Sequence, residues 1–289
     1  MSHARATFTF LGTGTSAGVP AIGCDCAVCT SPDPRDARLR TAAALRFTDA
    51  AGKPRTVLLD AGPDLRQQSL RARLTRCDAV LFTHNHVDHT FGLDEVRRFN
   101  VVQSGPTEVW GEAHTLAHLR RVYAHIFERE RNVNDSFVAS LIAREITPRE
   151  VNEGVSLDVF GLRVTPLRLL HGRLPILGYR VDAPGAGEAT AGSSAADDLF
   201  PLAYCTDVSG IPPETWPRFR GVRTLVLDAL RHRHHPTHLT IGQAVSIAHE
   251  IGAPRTYFVH MGHEVGHEAT QGQLPEGMFL AYDGLELTA

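Results

Sequence analysis

Apolar residues fall along this chain in short runs separated by amphipathic stretches, a pattern that predicts strands alternating with helices. "ATFTFLGTGTS" reads as a strand entering a glycine-rich turn, and "RTVLLDAG" as a buried strand ending at Asp60 and Gly62. "PDLRQQSLRARL" follows as a helix with Pro63 at its entry, and "DAVLFT" is a further buried strand. "FGLDEVRRF" and "EAHTLAHLRRVYAHIF" carry helical periodicity. From "VSLDVFGLRVTPLRLLH" the pattern turns strand-rich, through "ILGYRVDA", "LFPLAYCTD" and "RTLVLDAL". "TIGQAVSIAHEIG" is a helix closing at Gly252, and "RTYFVHMGH" a last buried strand. The small, polar stretch from Pro184 to Asp198 cannot bury apolar area and reads as a mobile excursion between two paired strands. The strand pattern resumes directly after it, no sequence repeat is visible, and the reading is one domain over 1–289.

The bulk composition narrows this picture further. With 43% hydrophobic and 21% charged residues, the chain has the balance of an ordinary globular protein. A formal net charge of −3 offers no basic field to gather nucleic acid, and no apolar run is long enough to span a bilayer. Five cysteines, an odd number, and a start without a secretory pattern suggest a reducing cytoplasm. Sixteen histidines are many for a chain of this charge, and they direct attention to metals.

The densest chemistry is "THNHVDHTFG", directly after a buried strand. Alternate residues of an extended backbone face the same way, so His84 and His86 can share one metal, while Asp88 and His89 reach another. Imidazole and carboxylate donors suit zinc, manganese or iron. "GCDCAVCTS" places Cys24, Cys26 and Cys29 too close together to staple a fold, and offers three of the four ligands of a structural zinc site. Cys77 and Cys205 have no such neighbours and read as core residues.

The run His84, His86, Asp88, His89 after a strand resembles the metallo-β-lactamase superfamily. That resemblance implies an α/β fold, the four-layer αβ/βα sandwich, with a dinuclear site at one edge between two sheets. It implies further ligands at His171 in "TPLRLLHGR", at Asp207 in "LAYCTDVSG" and at His260 in "RTYFVHMGH". By the same resemblance His84, His86 and His171 hold one ion, Asp88, His89 and His260 the other, and Asp207 bridges. Asp60 would support the ligand loop. The cysteine triplet and the C-terminal "VHMGHEVGHEATQGQLPEGMFLAYDGLEL" resemble a narrower group, relatives of the cyclic phosphoribosyl phosphodiesterase of phosphonate breakdown. There a structural zinc takes the three cysteines and a histidine three residues past the last catalytic ligand, which is His263 in this chain.

The same group implies that His238, just ahead of a helix, acts on the substrate phosphate, with Asp207 also catalytic; histidine can protonate a departing alkoxide at neutral pH. Arg231 is a weaker candidate for a phosphate contact, and His232, His234 and His235 read as a solvated loop. His114, His118 and His125 share one helical face and read as surface or packing. The expected activity is hydrolysis of a small nucleotide or sugar phosphodiester, cyclic ones included, by water activated between two divalent ions (zinc, manganese or iron), with one structural zinc. The expected partner is a small molecule, with neither a membrane nor a stable nucleic-acid partner, in a homodimer as in the relatives. Three other readings share parts of the site: a tRNA 3′-processing endonuclease, a glyoxalase-type thioesterase or lactonase, and a zinc-binding relative without turnover. For the first of these no basic RNA-clamping arm is visible.

Overall fold

The computed structural model describes residues 6–128, 130, 137–184 and 199–289. Two seven-stranded sheets carry the fold. In the first, β1 (Thr7–Gly12), β2 (Ala42–Thr48) and β3 (Pro54–Leu59) run antiparallel, and β4 (Ala79–Leu81), β5 (Thr107–Gly111) and β6 (Leu141–Glu145) continue from β3 in parallel. In the second, β7 (Leu157–Val159), β8 (Leu162–His171), β9 (Leu174–Val181) and β10 (Leu202–Cys205) are antiparallel. There β11 (Thr224–Asp228), β12 (Arg255–Val259) and β13 (Met278–Leu280) continue from β10 in parallel. The last strand, β14 (Glu286–Thr288), crosses back to pair with β1. The halves therefore repeat one topology, a meander followed by parallel strands, although no repeat shows in the residues.

Consecutive residues of the parallel strands are buried on opposite faces, which is why these strands read as unbroken apolar runs. Val57 and Leu59 of β3 face the core between the sheets, whereas Leu58 faces outward, where it too is covered. Leu202 and Tyr204 of β10 join that central core, while Ala203 and Cys205 turn to the outer one. Helices α1 (Leu65–Arg71), α3 (Val96–Gln103) and α4 (Ala113–Val122) cover the first sheet through Leu65, Val96, Phe99, Leu116 and Leu119. Helix α7 (Ile241–Ile251) covers the second through Ile241, Ala244 and Ala248. The layers are helix, sheet, sheet, helix, as the resemblance implied.

Local signals placed most elements. Thr240 caps α7 with a capping box to Gln243, and Gly252 closes it in a left-handed conformation. "FGLDEVRRF" is not one helix: Leu93–Glu95 form a 3-10 turn and α3 begins at Val96. The helix expected through "EAHTLAHLRRVYAHIF" breaks at Tyr123, and α5 (Ala124–Phe127) follows as a separate short helix. Val181 of β9 and Leu202 of β10 pair, so the stretch from Pro184 to Asp198 does join paired strands, and 185–198 themselves lie outside the described residues. Cys77 and Cys205 are fully buried. Among the described residues no helix is long and apolar enough to cross a membrane.

Candidate metal centre

The strand ends of both sheets open onto one edge of the sandwich. From β4 the chain leaves through Phe82 and Thr83, and the second sheet grips that exit. Leu177 N donates to Thr83 O at 3.0 Å, and Tyr179 Oη to Phe82 O at 2.5 Å. The ligand loop then folds back over the end of β3, with Ala61 N donating to His89 O and Gly92 N to Ala61 O, both at 2.8 Å. Gly62 permits this approach, since a Cβ there would stand 2.0 Å from the Asp88 carbonyl oxygen. His84, His86, Asp88 and His89 are thus delivered by one short loop and the four-residue helix α2 (Val87–Thr90).

The other strands add one residue each. His171 ends β8, Asp207 follows β10 by two residues, and His260 directly follows β12. Asp60, Asp207 and His260 all adopt left-handed backbone conformations, with φ of 64°, 59° and 62°. Such a bend costs a side-chain-bearing residue about 1–3 kcal/mol and recurs where a fold must aim a functional group. Here it throws three side chains into the same space.

Their donor atoms fall into two adjoining clusters, His84–His86–His171 and Asp88–His89–Asp207–His260, within each of which the candidate ligand atoms lie within 4.8 Å of one another. Asp207 faces two histidines, with Oδ2 3.1 Å from His89 Nε2 and Oδ1 3.2 Å from His260 Nε2. His84 Nε2, His89 Nε2 and both His260 ring nitrogens are buried with no hydrogen-bond partner. Buried polar atoms are rarely left in that state, and separations near 3.1–3.2 Å without hydrogen-bond geometry match the edge of a coordination tetrahedron with bonds of about 2.0–2.1 Å. The remaining ring nitrogens explain the orientation. His89 Nδ1 meets Asp60 Oδ2 at 2.8 Å, His84 Nδ1 meets Thr83 Oγ1 at 3.0 Å, and His171 Nδ1 donates to Thr237 O at 2.8 Å. Each contact turns an Nε2 lone pair toward the cluster. The donor set and its geometry fit two divalent metals.

Charge follows the same logic. Burial alone would lower the His89 pKa, but Asp207, Asp60 and Asp88 reverse the sign and push it well above the ordinary value. Burial would raise Asp207, yet His260 and His89 hold it well below the usual carboxylate range. Burial likewise governs Asp60, whose carboxyl is pushed up despite His89 and Thr83. A cation bound among these groups would take over the role of those protons.

Two neighbours of the clusters escaped the sequence reading. Asp228, the last residue of β11 and fully buried, lies 3.2 Å from His238 Nδ1 and accepts from Leu239 N at 2.9 Å. It thereby leaves Nε2 as the free ring nitrogen of His238, whose ring packs 4.6 Å from that of His171 and 4.7 Å from that of His260. The signal was present: "VLD" closes this strand, and "LLD" closes the run of β3 and the Asp60 that follows it. The second is His118, read from sequence as helix surface or packing. It instead lines a cavity of about 480 Å³ together with Ser16, Asn85, His86, Asp88, His171, Asp207, His238 and His260. His114 is exposed, and the break at Tyr123 carries His125 off that helix to within 3.6 Å of Asp94. Arg231 does not line the cavity; it pairs with Glu264 at 3.4 Å.

The cysteine triplet meets the C-terminal strand end. Thr15 N donates to Met261 O and Met261 N to Thr13 O, binding the N-terminal loop beside β12. Buried Arg38 donates to Gly262 O and pairs with Asp36, which in turn accepts from His267 N. Across this junction the Sγ atoms of Cys24, Cys26 and Cys29 stand 3.1, 3.5 and 3.7 Å from His263 Nδ1. A tetrahedral zinc with sulfur and nitrogen bonds of about 2.3 and 2.0 Å separates such ligands by roughly 3.6 Å. The Cys29 backbone N–H draws the Cys26 thiol down to about 6, into the thiolate range that binds metal, while burial pushes Cys29 up to about 11.

Fold and site together define a class. The sequence profile of the beta-lactamase superfamily domain matches residues 55–261. A solved diphosphatase of the PhnP family is 38% identical, with a TM-score of 0.81 over 99% of this chain and 97% of its own. The chain belongs to the beta-lactamase superfamily and, within it, to the PhnP family. It is also 36% identical, over 96% of its length, to an octanoyltransferase of Porphyromonas gingivalis, and spans only 50% of that protein. Zinc-bound PqqB from Methylobacterium extorquens shares the fold, with a TM-score of 0.69, 21% identity, and coverage of 97% of this chain and 99% of PqqB.

Proposed function

We propose that the chain is a metal-dependent hydrolase that cleaves small phosphodiesters, nucleotide or sugar, cyclic ones included. One observation carries this reading: two ligand clusters, linked where His171 of one and Asp207 of the other offer atoms within 4.8 Å, lie beside the His238–Asp228 pair on a single cavity. His84, His86 and His171 would hold one divalent ion, and Asp88, His89 and His260 the other, with Asp207 between them. Bound there, zinc, manganese or iron would supply an acidified water and offset the charge of the phosphoryl oxygens. Cys24, Cys26, Cys29 and His263 would hold a third, structural zinc.

The chain's own residues do the rest. Asp60 and Thr83 keep the ligand histidines in the tautomer that faces the ions. Asp228 holds His238 by Nδ1, so a proton given to the leaving alkoxide comes from Nε2. His171, Asp207 and His238 also offer atoms within 4.8 Å of one another, so the metal content of a His238 variant separates proton donor from ligand.

The test is hydrolysis of bis-p-nitrophenyl phosphate by the metal-loaded protein, with a thioester and a precursor tRNA as competing substrates. Metal-dependent turnover of the phosphodiester, and not of the other two, is the expected result. A second reading, cleavage of a diphosphate ester, draws support from the diphosphatase relative, and a P1,P2-diester of diphosphate tests it in the same assay.

A further inference from the structure

A single short segment carries a ligand of each centre. His260 belongs to the cluster Asp88–His89–Asp207–His260, and His263 to the cysteine cluster. Between them lie Met261 and Gly262, both buried. Their backbone groups are all held. Met261 N donates to Thr13 O at 3.0 Å, and Met261 O accepts from Thr15 N at 3.1 Å. Gly262 N donates to Leu230 O at 2.9 Å, and Gly262 O accepts from Val265 N and from Arg38 Nη1, both at 3.2 Å. A segment pinned in this way has little freedom to absorb a shift of His263, and passes it on to His260, already held in a left-handed backbone with φ of 62°.

Arg38 stands where the parts of this junction meet. Its backbone pairs with Val19, N to O at 2.7 Å and O from N at 2.9 Å, and so closes the loop that carries Cys24, Cys26 and Cys29. Its buried side chain reaches Gly262 O with Nη1 and Asp36 Oδ1 with Nη2, the latter at 2.9 Å. The same Asp36 oxygen accepts from the N–H of His267, the first residue of the short helix His267–Gln271, at 2.8 Å. One guanidinium therefore grips the chain on both sides of His263, directly at Gly262 and through Asp36 at His267. Burying its charge is costly, and apolar side chains of similar volume often replace a buried ion pair without loss of stability. Stability alone does not account for an arginine here; a rigid fork that fixes two directions at once does.

We propose that Arg38 is a positioning residue that couples the two centres, setting the aim of His260 according to whether the cysteine site is filled. Metal held by Cys24, Cys26, Cys29 and His263 fixes His263, and Arg38 carries that constraint to Gly262 and so to His260. Filling the cysteine site then raises metal affinity at the His260 cluster. By reciprocity, filling the His260 cluster raises zinc affinity at the cysteines by the same factor. His84, His86 and His171 come from the β4 exit and the end of β8, outside this path, and their ion is not coupled. The coupling rests on the metal assignments above and is independent of the substrate.

The experiment is a double-mutant cycle on metal affinity, read by competition with a chromogenic chelator in wild type, Cys26→Ser, Arg38→Met and the double variant. Cobalt loading reports the cysteine site separately, through its thiolate charge-transfer band. Each single change should weaken one of the two catalytic ions by about 5- to 150-fold and leave the other within about threefold. The double variant should be no weaker than the weaker single variant, because both changes cut the same path. A merely structural role would lower Tm without this non-additivity. Arg38→Lys keeps the charge but reaches one acceptor and not both; it should recover part of the affinity, and it repeats the cycle if Arg38→Met does not fold. Catalytic affinities within about twofold of wild type in Cys26→Ser, or a double variant that shows the product of the two single effects, overturn the coupling and leave the metal assignments standing. Fewer than three ions per wild-type chain would overturn those assignments, and the coupling with them.

Discussion

Replacing Asp60 by Asn should leave the fold intact and weaken metal binding at one cluster more than at the other. Asn tolerates the left-handed backbone at this position, where φ is 64°. Its orientation is forced. Thr83 N donates to Asp60 Oδ1 at 2.8 Å, so the Asn carbonyl must take that side and the amide NH2 must face His89 Nδ1, 2.8 Å away in the wild type. His89 Nδ1 then accepts, the ring proton moves to Nε2, and the lone pair aimed at the metal is lost. His84 is affected less directly, because Thr83 Oγ1 stands between it and Asp60. Loss of a residue that orients a ligand typically costs 10- to 100-fold in metal affinity, about 1.4–2.8 kcal/mol. Asp60→Ala should differ in kind: it orphans the buried Thr83 N–H and should lower stability by about 1–3 kcal/mol. Competition with a chromogenic zinc chelator gives the affinities, and thermal unfolding of the same samples gives stability. Asp60→Asn protein that keeps both catalytic affinities within twofold, or loses the cysteine-site metal equally, refutes the reasoning.

Three further outcomes follow from the same geometry. Cys26→Ser should remove one zinc by elemental analysis and lower Tm, because it frees the junction between the N-terminal loop and His263; the dinuclear centre should survive at least in part. Asp207→Ala should lower metal occupancy and abolish activity, whereas His238→Ala should keep its metals and lose about two to four orders of magnitude in turnover. A p-nitrophenolate leaving group, which needs no proton, should partly rescue the His238 variant and not the Asp207 variant. Asp228→Asn presents an amide N–H to His238 Nδ1 and should reduce kcat toward that of His238→Ala, with less effect on KM.

Legibility from sequence tracked how locally each feature is encoded. The ligand loop needs only a buried strand and six residues, and it could be read at sight. His171, Asp207 and His260 each stand alone at a strand end and were found through resemblance to a family, since no local pattern marks a lone histidine as a ligand. The strands that went unread are the Ala-rich β2, the short β5 and β6 at the edge, and the three-residue β13 and β14, too short for alternation to show. His118 lies on α4 as expected, and only the tertiary fold shows that this part of the helix borders the cavity.

The repeated topology explains one feature that no local reading could reach. β3 pairs antiparallel with β2 and parallel with β4; β10 pairs antiparallel with β9 and parallel with β11. The two strands are equivalent in their sheets, and each is followed within two residues by an aspartate in the left-handed conformation, Asp60 in one half and Asp207 in the other. His89 lies between them, its Nδ1 2.8 Å from Asp60 and its Nε2 3.1 Å from Asp207. Two equivalent carboxylates thus face one imidazole from opposite sides: one contacts its Nδ1, and the other lies against its Nε2, the nitrogen that would bind a metal. That division demands different surroundings. Asp60 is closed in by Thr83 and His89, while Asp207 borders the cavity. Exchanging the roles would require an opening beside Asp60, where Gly62 and the ligand loop now pack backbone against backbone. The half that carries the ligand loop is therefore the half whose aspartate is sealed, and among the described residues the cavity opens beside Asp207.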